Sequence, residues 1–376
     1  MIKTATLTFH ASHNYGSMLQ AYALQQVLKK SIGVENEIIN LRTPAQKSVY
    51  PNPQKIPSSL RGWISFICRL PIMRGLNNKF SLFEDFLKNE LSLSDEFHSI
   101  EEVTGYVKHF DCLISGSDQI WNTSCLDFDW SYFLPFCGSR KIAYAPSMGP
   151  HGREQVSTEV YERISDYLSD FSAVSVREQG TADVVYAITM ENPDVLADPT
   201  ILINRSEWEH LASEHNPIKG KYIFLYQPSP TNSICDLAYN ISKRTGLPVV
   251  SSNKIPLVSM VKYGLLKRTG IKQRLSAGPK EFLRLIMDSD FVISGSFHAV
   301  VFSILFHKPF MAYNGLEDNR MSQILQSTEL EDYAVTDSNY IAKLPLLNRI
   351  DFSRAERYII KERERSLDFL KKNITL

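Results

Sequence analysis

The chain has 376 residues, with 41 basic and 41 acidic side chains, and 43% of its residues are apolar. So long a chain exceeds the usual size of one hydrophobic core, which predicts two domains, and its neutral net charge argues against a nucleic-acid-binding protein. The five cysteines lack the spacing of zinc or redox motifs, so we expect neither a metal site nor a cofactor.

The first residues, MIKTATLTFH, have the pattern of a strand and lack the long apolar stretch of a signal peptide. No segment reaches the length of a membrane-spanning helix. We therefore expect a cytoplasmic protein.

Short apolar strands alternate with helical segments along the chain. We expect strands at residues 4–9, 35–40, 111–114, 141–144, 173–176, 195–197, 222–226, 248–251, 291–293 and 309–312. This alternation is typical of parallel sheets covered by helices on both faces. The predicted fold class is therefore α/β, with two Rossmann-like domains that face each other across a cleft.

The predicted domain boundaries follow from the distribution of these elements. Residues 1–203 are expected to form the first domain and residues 204–350 the second. Residues 351–376 contain a charged helix that we expect to pack back on the body. Ligands bind beyond the carboxyl ends of parallel strands, so the cleft is the expected site.

Two stretches of nine residues are nearly the same, namely DCLISGSDQ at 111–119 and DFVISGSFH at 290–298. Each has an Asp, a short apolar run typical of a buried strand, and then Ser-Gly-Ser. The glycine permits a sharp turn, and the second serine suits the start of a helix. Both stretches therefore predict strand–turn–helix units with backbone N–H groups that suit an anion or a polar ligand.

The turns of the first half carry polar residues after the predicted strands. Asn14 and Tyr15 lie in HASHNYGSMLQAY, which a plain capped loop explains almost as well as a ligand contact. Gln119, Trp121 and Asn122 follow the first nine-residue motif, where an indole beside amides suits a sugar. The alternative is a capped helix whose Trp121 belongs to the core.

Three further residues stand where predicted strands end. Arg177, in SVRE, suits a carboxylate or phosphate because a guanidinium forms bidentate hydrogen bonds, although a structural pair with Glu178 is the alternative. His298 stands in the first turn of an apolar helix, where the helix dipole favours a neutral ring that can accept a proton from a hydroxyl. The alternative there is a structural histidine. Asp198, in ADPT, is explained by an Asx-turn without any chemistry.

Six segments, in this order and at this spacing, resemble the polysaccharide pyruvyl transferase family: NYGSMLQAYAL, GSDQIWN, YAPSMG, SVRE, LADPTILI and SGSFHAVVFSILFHKPF. The resemblance implies a glycosyltransferase-B-like fold. It also implies transfer of pyruvate from phosphoenolpyruvate, the donor substrate, to two hydroxyls of a sugar as a cyclic ketal. The acceptor would be a sugar of a polysaccharide precursor, including a lipid-linked oligosaccharide.

The resemblance also implies a basic donor site that contains a histidine. Carried over by position, with one added base, this site consists of Arg177, Gly295, Ser296, Phe297, His298 and Arg320. Many family members have an arginine two residues before the histidine, whereas this chain has Ser296, which can bond to a phosphate oxygen but cannot neutralise it. The missing charge is expected from a base between residues 254 and 280, or from Arg320.

The reaction that the resemblance implies assigns roles to individual residues. We assign His298 to proton transfer at the donor and Asp118 to an acceptor hydroxyl. The residues expected to bind the acceptor are Asn14, Tyr15, Gln119, Trp121 and Asn122.

Two other classes of function stay open. A nucleotide-sugar glycosyltransferase would use the same architecture and bind a phosphate-bearing donor at the second motif. It would need an acidic residue for a ribose, and residues 237–280 contain no acidic side chain. A non-catalytic sugar-binding protein is favoured only by the departure at Ser296.

Residues 38–83 contain seven basic side chains and no acidic one. Within them, the stretch SLRGWISFICRLPIMRGLNNK at 59–79 interleaves aromatic and apolar residues with bases. Such segments lie at the surface of anionic membranes, which predicts a peripheral membrane contact. The alternative is an ordinary core helix whose bases face water.

Overall fold

The computed structural model describes residues 1–54, 63, 66–67, 70–149, 157–263 and 270–375. Within these residues the strands form two sheets, one of seven strands and one of six. Every pairing between neighbouring strands is parallel. Parallel strands need crossover connections, and helices supply most of them.

The first sheet uses strands from the first half of the chain: β1 (Lys3–Leu7), β2 (Glu35–Leu41), β3 (Leu93–Phe97), β4 (Cys112–Ser115), β5 (Arg140–Ala143), β6 (Ala173–Val176) and β7 (Asp194–Val195). The second sheet consists of β8 (Ile223–Tyr226), β9 (Val249–Ser251), β10 (Ile271–Gln273), β11 (Phe291–Ser294), β12 (Phe310–Tyr313) and β13 (Ala334–Val335). Their spatial orders are β3-β2-β1-β4-β5-β6-β7 and β10-β9-β8-β11-β12-β13. Both follow the Rossmann order, in which the strand order reverses beside the first strand, so the predicted fold class is confirmed.

The helices are α1 (Tyr15–Gln26), α2 (Pro44–Val49), α3 (Met73–Glu90), α4 (Ile100–Tyr106), α5 (Thr158–Leu168), α6 (Gln179–Thr189), α7 (Arg205–Leu211), α8 (Asn232–Thr245), α9 (Leu257–Tyr263), α10 (Pro279–Met287), α11 (Phe297–Leu305), α12 (Asn319–Ser327), α13 (Tyr340–Lys343) and α14 (Ser353–Ile374). Among the described residues, no helix combines the length and the apolar character needed to cross a bilayer.

The two nine-residue motifs occupy equivalent places, because β4 and β11 are the strands next to the first strand of their sheets. In the first motif, Asp111 Oδ2 accepts a hydrogen bond of 2.8 Å from the backbone N–H of Lys3. In the second, Asp290 Oδ2 accepts an equal bond of 2.8 Å from the N–H of Tyr222. Each motif aspartate therefore satisfies a backbone donor at the start of the adjacent strand.

The motifs differ after the strand. The second continues into α11 as expected, but no helix follows the first, where the chain forms turns up to a short 3-10 helix at Trp130–Phe133. Asp118 has a φ of 77°, a left-handed conformation that a helical start does not allow. The predicted strand–turn–helix unit at residues 111–122 is therefore wrong in its last part.

Helices of the first domain pack directly on the second. The hydroxyl of Tyr15, at the start of α1, donates a hydrogen bond of 2.9 Å to the carbonyl of Ala277, and its ring stacks on Phe282 at 4.4 Å between centroids. On α3, Leu82 lies so close to Gly278 that a Cβ at that glycine would fall 2.5 Å from the Leu82 Cβ. The cleft is therefore closed by direct contacts between the domains.

Helix α14 contacts both halves of the body. Arg363 Nη2 donates to the carbonyl of Ile201 at 3.0 Å, and the ring of Phe369 lies 6.4 Å from that of Tyr144. At the other end of the helix, Glu356 pairs with His307 at 3.1 Å. Leu370 is fully buried in this packing.

Replacing Leu370 by Ala is expected to lower the free energy of unfolding by about 2–5 kcal/mol, because the truncation leaves a cavity in a packed core. The neighbouring change Lys371→Ala, at an exposed position, should alter it by less than about 0.5 kcal/mol. Urea denaturation of both variants measures the difference. Equal stabilities would show that α14 is not part of the folded body.

Candidate active site

Residues from both domains meet where the strands end. Arg177 follows β6 and Asp198 follows β7, both in the first sheet. His298 lies in the first turn of α11, directly after β11 of the second sheet. All three side chains are buried, with exposures of 3%, 3% and 7%. The site therefore forms at the carboxyl ends of the strands, as expected for this class of sheet.

Asp198 lies between the other two residues. Its Oδ2 accepts a hydrogen bond of 2.8 Å from Arg177 Nη1 and is 3.5 Å from His298 Nε2. Its Oδ1 accepts from the backbone N–H and the hydroxyl of Thr200, at 2.9 and 2.7 Å. Burial alone would raise the pKa of Asp198, but His298, Arg177 and Thr200 together lower it below its ordinary value. Asp198 is therefore a buried anion that holds a cation of one domain and an imidazole of the other.

Arg177 is surrounded by three carboxylates. Besides Asp198, Glu178 Oε2 lies 3.6 Å from its Nε and Asp118 Oδ1 lies 3.8 Å from its Nη1. Its Cζ is 5.0 Å from the centre of the Phe297 ring, a cation–π contact between the domains. Burial raises the pKa of Glu178 even though Arg177 opposes this. Within the described residues, Arg177 Nε and Nη2 have no hydrogen-bond partner.

His298 packs against the backbone of α1. An ideal Cβ built on Gly16 would lie 2.1 Å from His298 Nδ1, so only a glycine allows this approach. The other ring nitrogen, Nε2, is buried without a hydrogen-bond partner among the described residues. The first domain therefore holds the ring on one side, while Nε2 faces the carboxylate of Asp198 at 3.5 Å.

The other predicted donor residues lie around this group. Ser296 precedes α11 and makes no side-chain capping bond, and a Cβ on Gly295 would lie 3.4 Å from the Gln227 amide. Arg320 lines a small cavity together with Arg177 and Phe297. Its guanidinium, however, already forms two hydrogen bonds to Asp318. That pairing lowers the pKa of Asp318 against the opposing effect of burial.

Three of the residues expected to bind the acceptor lie in polar turns of the first domain. Asn14 Oδ1 caps α1 by accepting from the N–H of Gly16 at 3.0 Å. Gln119 and Asn122 are linked by a hydrogen bond of 3.3 Å between their amides. Asp118 is next to Gln119 and accepts a hydrogen bond of 2.9 Å from its N–H.

The two aromatic residues of the predicted acceptor site are inside the protein. Trp121 is 1% exposed, stacks on Phe133 at 4.9 Å and donates from Nε1 to Ser115 Oγ at 3.1 Å. Its expected stacking on a sugar is therefore corrected, since both faces of the indole lie in the core. Tyr15 is likewise 1% exposed, and its side chain joins the two domains.

Two acidic residues of the site were not predicted from the sequence. The Asx-turn expected at Asp198 is present, but the same side chain also binds Arg177 and approaches His298. Asp127 lies in a turn after the first motif, where its Oδ2 accepts bonds of 3.3 Å from Ser12 and Tyr50. Burial, with the nearby charge of Asp118 as a smaller cause, raises the pKa of Asp127. Only tertiary contacts reveal this second carboxyl group.

Solved structures show the class of fold. The chain is similar to UDP-GlcNAc 2-epimerase from Neisseria meningitidis bound to UDP-GlcNAc, with a TM-score of 0.52, 10% identity, and all of both chains covered. It is also similar to the enzyme from Methanocaldococcus jannaschii in complex with UDP-GlcNAc and UDP, with a TM-score of 0.51, 10% identity and 94% of each chain covered. The chain is also similar to an alpha-glucosyltransferase in complex with UDP and DNA, with a TM-score of 0.53 and 9% identity. The match covers 99% of this chain and 95% of that chain. The fold is therefore that of the glycosyltransferase-B class.

The family is given by sequence. The family model of polysaccharide pyruvyl transferase matches residues 14–315, which is most of the chain. This range includes both sheets except for strands β1 and β13. The chain therefore belongs to the polysaccharide pyruvyl transferase family, and the resemblance of its motifs is confirmed. No curated protein matches the chain in sequence.

Replacing Gly16 by Ala is expected to displace the His298 ring, because the added methyl group would overlap it. The side-chain NMR signals of His298, assigned with a His298→Ala variant, should shift clearly. Gly105→Ala is the matched control, because no atom lies within 4 Å of a Cβ at that position. Unchanged His298 signals in Gly16→Ala would contradict this close approach.

Proposed function

We propose that the protein transfers pyruvate from phosphoenolpyruvate to two hydroxyls of a sugar in a polysaccharide precursor, forming a cyclic ketal. Membership of the family supports a transferase of this kind. The observation that carries the proposal is the buried, unpartnered Nε2 of His298 at the start of α11, held beside the carboxylate of Asp198. This is the arrangement expected of a group that moves a proton.

His298 is proposed to deliver a proton to the methylene carbon of phosphoenolpyruvate. Asp198 stabilises the protonated imidazole that this step requires, because an opposite charge at 3.5 Å in a buried place interacts strongly. Protonation turns the methylene into a methyl group and leaves the central carbon electron-poor. General acid assistance of this type contributes a factor of about 10² to 10⁴ in rate.

The acceptor then attacks the central carbon. One sugar hydroxyl bonds to that carbon and gives its proton to Asp118. Before the next turnover Asp118 releases this proton to the solvent and His298 takes one up, so the protons balance. A second hydroxyl displaces phosphate, which leaves with the second hydroxyl proton. The product is a ketal whose two oxygens come from the sugar, and the balance requires no oxidant or metal.

A cavity of about 770 Å³ in the first half of the chain has room for a sugar. Tyr50 lines it and also bonds to Asp127 through its hydroxyl at 3.3 Å. Arg42 and Glu84, which pair at 2.8 Å, lie on the same wall. Polar groups of both signs suit a neutral sugar better than an anion, so we place the acceptor here.

Replacing His298 by Ala is expected to reduce phosphate release from phosphoenolpyruvate at least a hundredfold when a synthetic galactoside is the acceptor. The melting temperature should change little, because Asp198 keeps its hydrogen bonds from Arg177 and Thr200. His215→Ala, an exposed histidine, is the matched control and should keep full activity.

Near-normal release in His298→Ala would remove this residue from the mechanism. If the wild type consumes nucleotide sugars in the same assay and leaves phosphoenolpyruvate intact, the donor is misassigned and the protein is a glycosyltransferase. Binding of sugars without turnover of either donor would indicate a non-catalytic protein.

A contact with lipid-linked acceptors at a membrane surface is also proposed. Residues 59–62, 64–65 and 68–69 of this stretch lie outside the described residues, whereas Trp63, Ile67 and Leu70 are described and are exposed by 44%, 59% and 53%. The expected membrane contact is corrected at Lys79. Its ammonium turns inward and donates to Asn253, so it does not face lipid. The proposed surface is therefore limited to residues 59–78.

The wild type is expected to float with vesicles of phosphatidylcholine and phosphatidylglycerol at low salt, and less at high salt. The double change Trp63→Ser and Leu70→Ser should reduce flotation. Leu126→Ser, at another exposed leucine, should leave it unchanged. A wild type that remains at the bottom of the gradient at low salt would overturn the membrane contact.

A further inference from the structure

The predicted donor site has too little free positive charge for its ligand. Phosphoenolpyruvate carries a phosphate and a carboxylate, but Arg177 faces three carboxylates, and Arg320 is bonded to Asp318. Ser296 adds no charge at the place where many family members have an arginine. A doubly anionic donor would be repelled from this turn unless another cation lies close to it.

Lys79 is a cation without an ionic partner. Its Nζ donates to Asn253 Oδ1 at 2.7 Å and to the carbonyl of Ser252 at 3.3 Å. In the part of the chain that the structure describes, no carboxylate lies within 4.0 Å of it. The ammonium sits 4.7 Å from the centre of the Tyr15 ring, and burial lowers its pKa to about 7. Burial thus disfavours the charged form of Lys79, and an anionic ligand beside it would stabilise that form.

The position of Lys79 is fixed by the packing of its helix. On one side, Gly75 of α3 lies against Leu275, with an ideal Cβ at 3.3 Å from the leucine Cβ. On the other side, Leu82 of α3 lies against Gly278. A helix of the first domain therefore carries Lys79 onto the second sheet, between two close contacts.

The surroundings of Lys79 lead to the predicted donor turn. Asn253, its hydrogen-bond partner, donates from Nδ2 to the carbonyl of Gln227 at 2.8 Å. The amide of Gln227 in turn lies beside Gly295, the residue before Ser296. Gln227 Oε1 and Ser252 Oγ are both buried without a hydrogen-bond partner in the described residues. Unsatisfied polar atoms next to an unpaired cation indicate a place for a polar ligand.

The first domain links the same cation to His298. Tyr15, over which Lys79 lies, is followed by Gly16, and Gly16 touches the His298 ring. Lys79 and His298 therefore contact two neighbouring residues at the start of α1, Tyr15 and Gly16.

We infer that Lys79 binds the phosphate of phosphoenolpyruvate and supplies the positive charge that Ser296 cannot. The inference rests on the proposed function, since it takes phosphoenolpyruvate as the donor. Lys79 comes from the first domain, whereas the replaced arginine would stand in the second. The donor site is therefore completed only when the two domains are together.

Isothermal titration with phosphoenolpyruvate tests the inference on the full chain. Lys79→Met should weaken binding at least tenfold, because it removes a charge-assisted hydrogen bond. Lys79→Arg should keep most of the affinity. Lys88→Met removes an exposed lysine from the same helix and should bind like the wild type. Inorganic phosphate should compete with phosphoenolpyruvate on the wild type and much more weakly on Lys79→Met.

The outcomes separate the inference from the proposed function. If the wild type binds phosphoenolpyruvate and Lys79→Met binds it equally well, Lys79 is not the phosphate ligand, although the proposed donor stands. If the wild type does not bind phosphoenolpyruvate, the proposed function fails and the inference with it. Lys79→Gln, neutral but polar, replaces Lys79→Met should the methionine variant lose its thermal transition.

Discussion

The site depends on the contacts that the buried carboxylate of Asp198 makes with Arg177 and His298. It accepts a hydrogen bond from Arg177 of the first domain and lies 3.5 Å from His298 of the second. A buried carboxylate is strongly destabilised without hydrogen-bond donors, and Arg177 and Thr200 supply them to Asp198. Gly16 of the first domain packs against the His298 ring of the second. The packing of the two domains against each other therefore fixes the orientation of the His298 ring.

The repeated motif shows which features of the fold can be predicted from the sequence and which cannot. The short apolar run in each copy correctly predicts a buried strand in each sheet, because the local pattern of apolar residues determines such strands. The aspartate that opens each copy serves the sheet, since it binds a backbone N–H of the neighbouring strand. The backbones of the copies diverge after Ser-Gly-Ser, where the positive φ of Asp118 replaces a helix by turns. The shared residues therefore reflect the shared strand geometry.

The remaining parts of the site depend on contacts between distant segments. Lys79 belongs to a stretch whose composition is typical of a segment that binds a membrane surface. Its ammonium nevertheless forms a hydrogen bond to Asn253, 174 positions later in the chain. Trp121 was expected to meet a sugar because of its polar neighbours, but the stacking of Phe133 decides its place. Asp198 looked like a turn former, and it is one, with a second role that appears only when β6, β7 and α11 come together. Periodicity contains no information about these pairings.

The most direct test of the central claim is the product formed in heavy water. With phosphoenolpyruvate and a galactoside, the protein should yield a sugar heavier by one pyruvate less one water, and its new methyl group should carry one deuteron from the solvent. Mass spectrometry with proton NMR of the product measures both features. A sugar that gains no pyruvate ketal, or a ketal whose methyl group takes no deuteron from the solvent, would contradict the proposed proton transfer and ketal formation.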